Sequence, residues 1–185
     1  QKSMGIVEEI PEKGIVKYAK PAGVICGVVP MTNPTLTPSG EGILALKAKD
    51  AIIFAPHPRT KKTSFEAVEV MREALRRQGV PEDLFQCVKA PSIPLTQELM
   101  SICDLVIATG GQPMVRSAYS SGRPAYGVGA GNSTMVIDET ADIEEAARNT
   151  RMSKTSDCGS GCSADGNLLV HDSIYDALLA QLIKE

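Results

Sequence analysis

Residues 23–29 read Gly-Val-Ile-Cys-Gly-Val-Val, without a charge and without polar alternation. A strand with one face in water alternates apolar and polar side chains, whereas a strand covered on both faces reads as an unbroken apolar run. The covered pattern recurs at Ala51–Ala55 (A-I-I-F-A) and Asp104–Ala108 (D-L-V-I-A), and further extended segments are expected at Leu84–Val88 and Pro124–Gly127. Between them the period becomes helical. Ser39–Lys49 carries Ile43, Leu44, Leu46 and Ala48, and Ser64–Gln78 places Phe65, Val68, Met71 and Leu75 on one face before Gly79-Val80-Pro81 stops it. Shorter helices are predicted at Leu95–Ser101 and Met114–Ser121. Buried strands alternating with helices specify an α/β fold with a parallel sheet.

Upstream, Ile6–Ile10 and Ile15–Lys20 flank the turn Pro11-Glu12-Lys13-Gly14 and read as a β-ribbon. Downstream, the pattern changes after Gly131: strand Thr134–Ile137, helix Asp142–Ser153, a loop rich in small residues, strand Asn167–His171 and helix Ser173–Lys184. A domain junction is expected near residues 128–134. The expected divisions are therefore a ribbon over 1–22, a sheet domain over 23–131 and the start of a second α/β domain over 132–185.

Composition narrows the function. The chain has 185 residues, 43% hydrophobic and 22% charged, which is enough for a sizeable core. A net charge of −3, no Trp and 4% aromatics give no electrostatic or stacking case for nucleic acid. No apolar run is long enough for a membrane span. Five cysteines without regular spacing point to a reducing compartment, the cytoplasm by default. Cys158 and Cys162 lack a second Cys/His pair at ligand spacing, so no metal is expected.

Cys162 stands out because it lies in S-D-C-G-S-G-C-S (156–163), where small side chains leave a thiol uncrowded and backbone N–H groups can converge on it. That makes it a candidate nucleophile. Three loops at predicted strand ends are candidate ligand sites. Pro56–Lys62 (P-H-P-R-T-K-K) offers basic side chains to a phosphate or ribose, or is a solvated basic loop. Ala108–Pro113 (A-T-G-G-Q-P) either admits a pyrophosphate at a helix start or is a tight structural turn. Gly127–Asn132 (G-V-G-A-G-N) allows close approach of a flat ligand or forms a hinge. Asn33, between Pro30 and Pro34, is either a donor to an oxyanion or a turn-forming residue. His171 is expected to cap the following helix or to lie on the surface.

Taken in order, G-V-V-P-M-T-N-P-T (27–35), A-I-I-F-A-P-H-P-R (51–59), A-T-G-G-Q-P-M-V (108–115), A-Y-S-S-G-R-P-A-Y-G-V-G-A-G-N (118–132), V-I-D-E-T-A-D-I (136–143) and S-K-T-S-D-C-G-S-G-C (153–162) resemble the aldehyde dehydrogenases, specifically their CoA-acylating branch. The resemblance implies a Rossmann-like sheet that binds NAD or NADP, part of a second α/β catalytic domain, and a ribbon that builds a homodimer or higher homo-oligomer. Short of a full member at both ends, the chain would belong to an enzyme that oxidises a small aldehyde with coenzyme A as co-substrate, the alternatives being a hydrolytic aldehyde dehydrogenase or a nucleotide-binding fragment without catalysis. Cys162 becomes the nucleophile and Asn33 the oxyanion donor. Thr32, His57, Pro58, Arg59, Gly110, Gly111, Gly127, Val128 and Gly129 become cofactor-binding positions. Val128 stands where hydrolytic members carry a water-activating glutamate, and a thiol needs less help from a base than water does. Ser156 and Cys158 replace an aromatic residue and an asparagine of the family pattern, which implies an unusual, polar or anionic substrate. Cys158 alternatively pairs with Cys162 in a reversible disulfide.

Overall fold

The computed structural model describes residues 2–185, which form two compact units, one ending at Gly129 and the other beginning at Ala130. The first unit opens with an antiparallel ribbon of β1 (Gly5–Ile10) and β2 (Ile15–Ala19). Its turn closes through Gly14, whose φ of 62° is a left-handed conformation that suits glycine. Then follow β3 (Val24–Val29), α1 (Leu36–Ala48), β4 (Ala51–Pro56), α2 (Lys61–Arg77), β5 (Phe85–Cys87), α3 (Ile93–Ile102), β6 (Leu105–Thr109), α4 (Gln112–Tyr119) and β7 (Ala125–Val128). The five strands β3 to β7 are all parallel, in the order β5-β4-β3-β6-β7.

Both faces of the central strand are covered, which is why its sequence does not alternate. Ile25 and Val29, with Ile52 and Phe54 of β4, pack against Ala45 of α1 and Val68 and Leu75 of α2. Cys26 and Val28, with Val106 and Ala108 of β6, pack against Leu99 and Met100 of α3 and Ala118 of α4. A wholly buried side chain such as Phe54 or Ile52 contributes roughly 1.5–3 kcal/mol over its exposed state. Two carboxylates anchor the entry to β3. Gly23 N–H donates to Asp50 Oδ1 and Val24 N–H to Asp104 Oδ2, each at 2.8 Å.

Element ends differ from expectation by a few residues, with identifiable causes. Helix α1 begins at Leu36, before Pro38, because the first turn of a helix has no internal acceptor for its N–H groups and tolerates proline there. Helix α2 begins at Lys61, and Leu84 joins a 3-10 turn (Glu82–Leu84) instead of β5. Within α1, Glu41 lies over the middle of β3. Its Oε2 is 2.7 Å from where a Cβ on Gly27 would stand, and it is buried without a hydrogen-bond partner. Burial pushes this carboxyl up to about 8.

The second unit contains β8 (Ser133–Ile137), α5 (Ile143–Thr155), β9 (Asp165–Val170) and α6 (Tyr175–Lys184). β8 and β9 pair in parallel, and Ile137, Ala147 and Leu178 form the core beneath the two helices. Asp142 caps α5 by accepting from Glu145 N–H at 2.9 Å. His171 does the same for the next turn, its Nδ1 accepting from Ser173 N–H at 3.3 Å, so it is a capping residue as the sequence suggests.

Candidate active site

From β3 the chain of the first unit moves outward through β4 to β5, then returns to add β6 and β7 on the other side. The carboxyl ends of β3 and β6 therefore flank the switch point at which open parallel sheets take ligands. The loop after β3 carries Thr32 and Asn33, both exposed, and the turn after β6 carries Gly110 and Gly111. Gly110 N–H donates to Val128 O at 3.0 Å, which sets the two glycine segments side by side. Val128 itself is an apolar side chain that is 57% exposed. Beside it, the Gln112 amide nitrogen is 2.6 Å from where a Cβ on Gly129 would stand. Past β4, His57, Pro58 and Arg59 are exposed in a tight turn. His57 Nδ1 accepts from Arg59 N–H at 3.2 Å, and Thr60 N–H donates to His57 O at 3.0 Å.

The helices that follow β3, β4 and β6 share an unusual start. None of α1, α2 and α4 has a side-chain cap, and none has an acid in its first turn. By contrast α3 is capped by Ser92. Uncapped N–H groups at the positive end of a helix dipole favour an anion. Beside the α2 start lie Arg59, Lys61 and Lys62, and Thr60 Oγ1 is buried there without a partner. Three such ends on the strand-carboxyl edge of one sheet, two of them at its switch point, fit the phosphates of a dinucleotide.

In the second unit α5 stops at Thr155 and the chain turns sharply. Asp157, Cys158 and Gly159 are all left-handed, with φ of 49°, 55° and 69°. Ser160 N–H then donates to Asp157 O at 3.0 Å and Ala164 N–H to Gly161 O at 3.1 Å, so Cys162 lies within the second of two successive tight turns. The Cys162 carbonyl oxygen is 2.9 Å from where a Cβ on Gly131 would stand, so the backbone of the cysteine loop rests on a glycine. Asp165 N–H donates to Ser153 Oγ at 3.3 Å and ties the exit of the loop to α5.

The five thiols divide by environment. Burial pushes Cys26 up to about 12 and Cys87 up to about 11, and it raises Cys103 as well. These three are inert hydrophobes at neutral pH. Cys158 and Cys162 are exposed, so both remain available to an electrophile. Among the described residues no three His, Cys, Asp or Glu side chains gather as a metal site, and no helix is long and apolar enough to cross a membrane.

Two features escape a reading of the sequence. The left-handed run at 157–159 includes Cys158, which rarely adopts that conformation, beside Asp157, which does so more readily, so composition announces it only in part. Tyr119, whose hydroxyl bonds the backbone of Gly127, is signalled only by the placing of that glycine inside β7, where a glycine often marks a close approach.

Comparison with known proteins identifies the family. The model of the aldehyde dehydrogenase family matches residues 2–185. The sulfoacetaldehyde dehydrogenase of an Acholeplasma species is 51% identical over 183 residues, covering 99% of this chain and 38% of that protein. The acylating sulfoacetaldehyde dehydrogenase of Bilophila wadsworthia is 45% identical over 183 residues, covering 99% of this chain and 39% of that protein. The crystal structure of an acetylating aldehyde dehydrogenase from Geobacillus thermoglucosidasius superposes with a TM-score of 0.90 at 41% identity, covering 99% of this chain and 41% of that one. The chain thus spans about two-fifths of the length of these relatives. It belongs to the aldehyde dehydrogenase family.

Proposed function

We propose that the protein is an NAD(P)-dependent, CoA-acylating aldehyde dehydrogenase acting on a short aldehyde that carries an anionic group. The observation that carries this reading is the exposed Cys162 thiol in a loop built of glycine and serine, in a chain whose other unit presents three uncapped helix ends at a sheet's ligand edge. The Cys162 thiolate adds to the aldehyde carbonyl, a C–S bond forms as the C=O π bond breaks, and the carbonyl oxygen becomes an oxyanion. Asn33 is proposed as a donor to that oxyanion. NAD(P) held by the first unit would supply the hydride acceptor, and loss of hydride from this carbon would leave an acyl thioester on Cys162. The CoA thiolate then attacks the thioester, acyl-CoA departs and the Cys162 thiolate is restored. Val128 offers no base to a competing water.

Residues 1–129 hold the cofactor in this proposal. The α4 start at Gly110 and Gly111 takes the pyrophosphate, and His57, Pro58 and Arg59 flank the adenosine. Gly127, Val128 and Gly129, with Thr32, border the nicotinamide. The anionic substrate is favoured by two relatives that bear the name of sulfoacetaldehyde, and by Ser156 and Cys158, which are small, polar and exposed. The ribbon of β1 and β2, with Ile15, Val16 and Tyr18 exposed, is proposed to serve self-association. Exposed thiols suit a reducing compartment such as the cytoplasm.

The deciding experiment measures NAD(P)H formation by the protein from sulfoacetaldehyde, succinic semialdehyde and acetaldehyde, with and without CoA. Turnover is expected to require CoA and to favour the anionic aldehydes. CoA-independent turnover would refute the acylating assignment, and an equal or greater kcat/KM for acetaldehyde would refute the anionic one.

A further inference from the structure

Strand β7 is an edge of the sheet, so alternate residues point their backbone groups away from β6. Val128 O faces β6 and accepts from Gly110 N–H, whereas Gly127 faces outward. Its outward groups are nevertheless engaged. Gly127 N–H donates to Tyr119 Oη at 3.0 Å, and the same hydroxyl donates to Gly127 O at 3.4 Å. The tyrosine takes the place of a neighbouring strand. Its ring is fitted to the glycine, with Tyr119 Cε2 and Val115 Cγ1 at 2.9 Å and 2.6 Å from where a Cβ on Gly127 would stand. Tyr119 is the last residue of α4 and remains 59% exposed, so its packing contributes little to the core.

These contacts close a circuit. Gly110 leads into α4, α4 ends at Tyr119, Tyr119 holds Gly127, and Val128 returns to Gly110. Tyr119 therefore braces the second of the two glycine segments that the cofactor is proposed to bridge, one residue from the bond that joins it to the first. We infer that Tyr119 is a positioning residue for the nicotinamide cofactor, acting through the main chain of Gly127 and Val128 without touching the ligand. The inference rests on the proposed function, since it requires a dinucleotide lying across both segments.

Tyr119→Phe keeps the ring and removes both hydrogen bonds, leaving the Gly127 groups on an edge that water can reach. Isothermal titration calorimetry of the protein with NAD+ and NADP+ should show the Kd of the preferred cofactor raised about fivefold, as expected for one net hydrogen bond. Because the lost bonds lie at an exposed edge, the thermal midpoint should fall by less than about 2 °C. The cofactor KM should rise with the Kd, while kcat at saturating cofactor stays within about twofold. An unchanged Kd overturns the inference, as does a weaker Kd accompanied by a large fall in thermal midpoint, which would mark a purely structural role. Wild-type protein that neither binds nor reduces NAD(P)+ would remove the proposed function and this inference together. Tight wild-type binding with an unaltered variant would remove the inference alone.

Discussion

Glu41→Gln isolates the cost of a buried carboxyl. The Glu41 carboxyl sits in the space above Gly27, its Oε2 without a partner, and burial moves it from 4.5 to about 8. Below pH 4.5 it is protonated in both the folded and the unfolded chain and contributes no pH dependence. Between 4.5 and 8 the unfolded chain ionises while the folded one holds its proton, so stability present at low pH is lost as pH rises towards the folded value. Each pH unit in that window corresponds to ~1.4 kcal/mol. At pH 7 the loss is roughly 3 kcal/mol, since the folded carboxyl is still mostly protonated there. Glutamine has the same shape and stays neutral at every pH. The variant should melt about 5–10 °C above the wild type at pH 7, and the two should converge towards pH 4.5. Thermal unfolding followed by circular dichroism from pH 4.5 to 8.5 measures both profiles. Parallel profiles would show that this carboxyl titrates as it does in water, and the reasoning would fail.

Two further substitutions probe the site and the scaffold. Cys162→Ser should lower NAD(P)H formation by at least about a thousandfold while leaving the cofactor Kd unchanged, since removing a nucleophile costs catalysis and not binding; substantial residual activity would reassign the nucleophile. Arg72→Ala removes a guanidinium that donates from Nη1 to Phe85 O at 2.6 Å and to Glu82 O at 3.2 Å, and that also pairs with Glu69 and Asp83. The expected cost is about 2 kcal/mol, read as a fall of roughly 4–8 °C in thermal midpoint, and a fall below about 1 °C would mean that these bonds are replaced by water.

The parallel sheet was legible because its strands are buried on both faces, and such runs as V-I-C-G-V-V have few other readings. Helix starts were less legible. Pro38 reads as a breaker but lies in a first turn, where the missing N–H costs nothing. The candidate site could be read where chemistry is local, as in the small residues around Cys162 and the basic residues after β4. What depends on distant partners could not be read. Glu41 resembles any polar residue on an amphipathic helix, and its burial follows from a glycine on a strand fourteen positions earlier. Gly110 and Gly127–Gly129 read as two separate loops, and only the β6–β7 pairing joins them. The left-handed Cys158 depends on how the chain leaves α5, which its residue type does not encode.

The two outer strands of the first unit's sheet share a property that bears on association. A free edge displays a row of unpaired donors and acceptors, and another chain's extended segment can dock on it. On β5 the outward carbonyl of Phe85 is taken by Arg72 from α2, and on β7 both outward groups of Gly127 are taken by Tyr119 from α4. In each case the helix that covers a face of the sheet also reaches round to obstruct a rung at its border. A growing fibril would have to evict a side chain at either end before it gained its first hydrogen bond there. The same contacts that hold helices to the sheet therefore also guard it against templated misassembly.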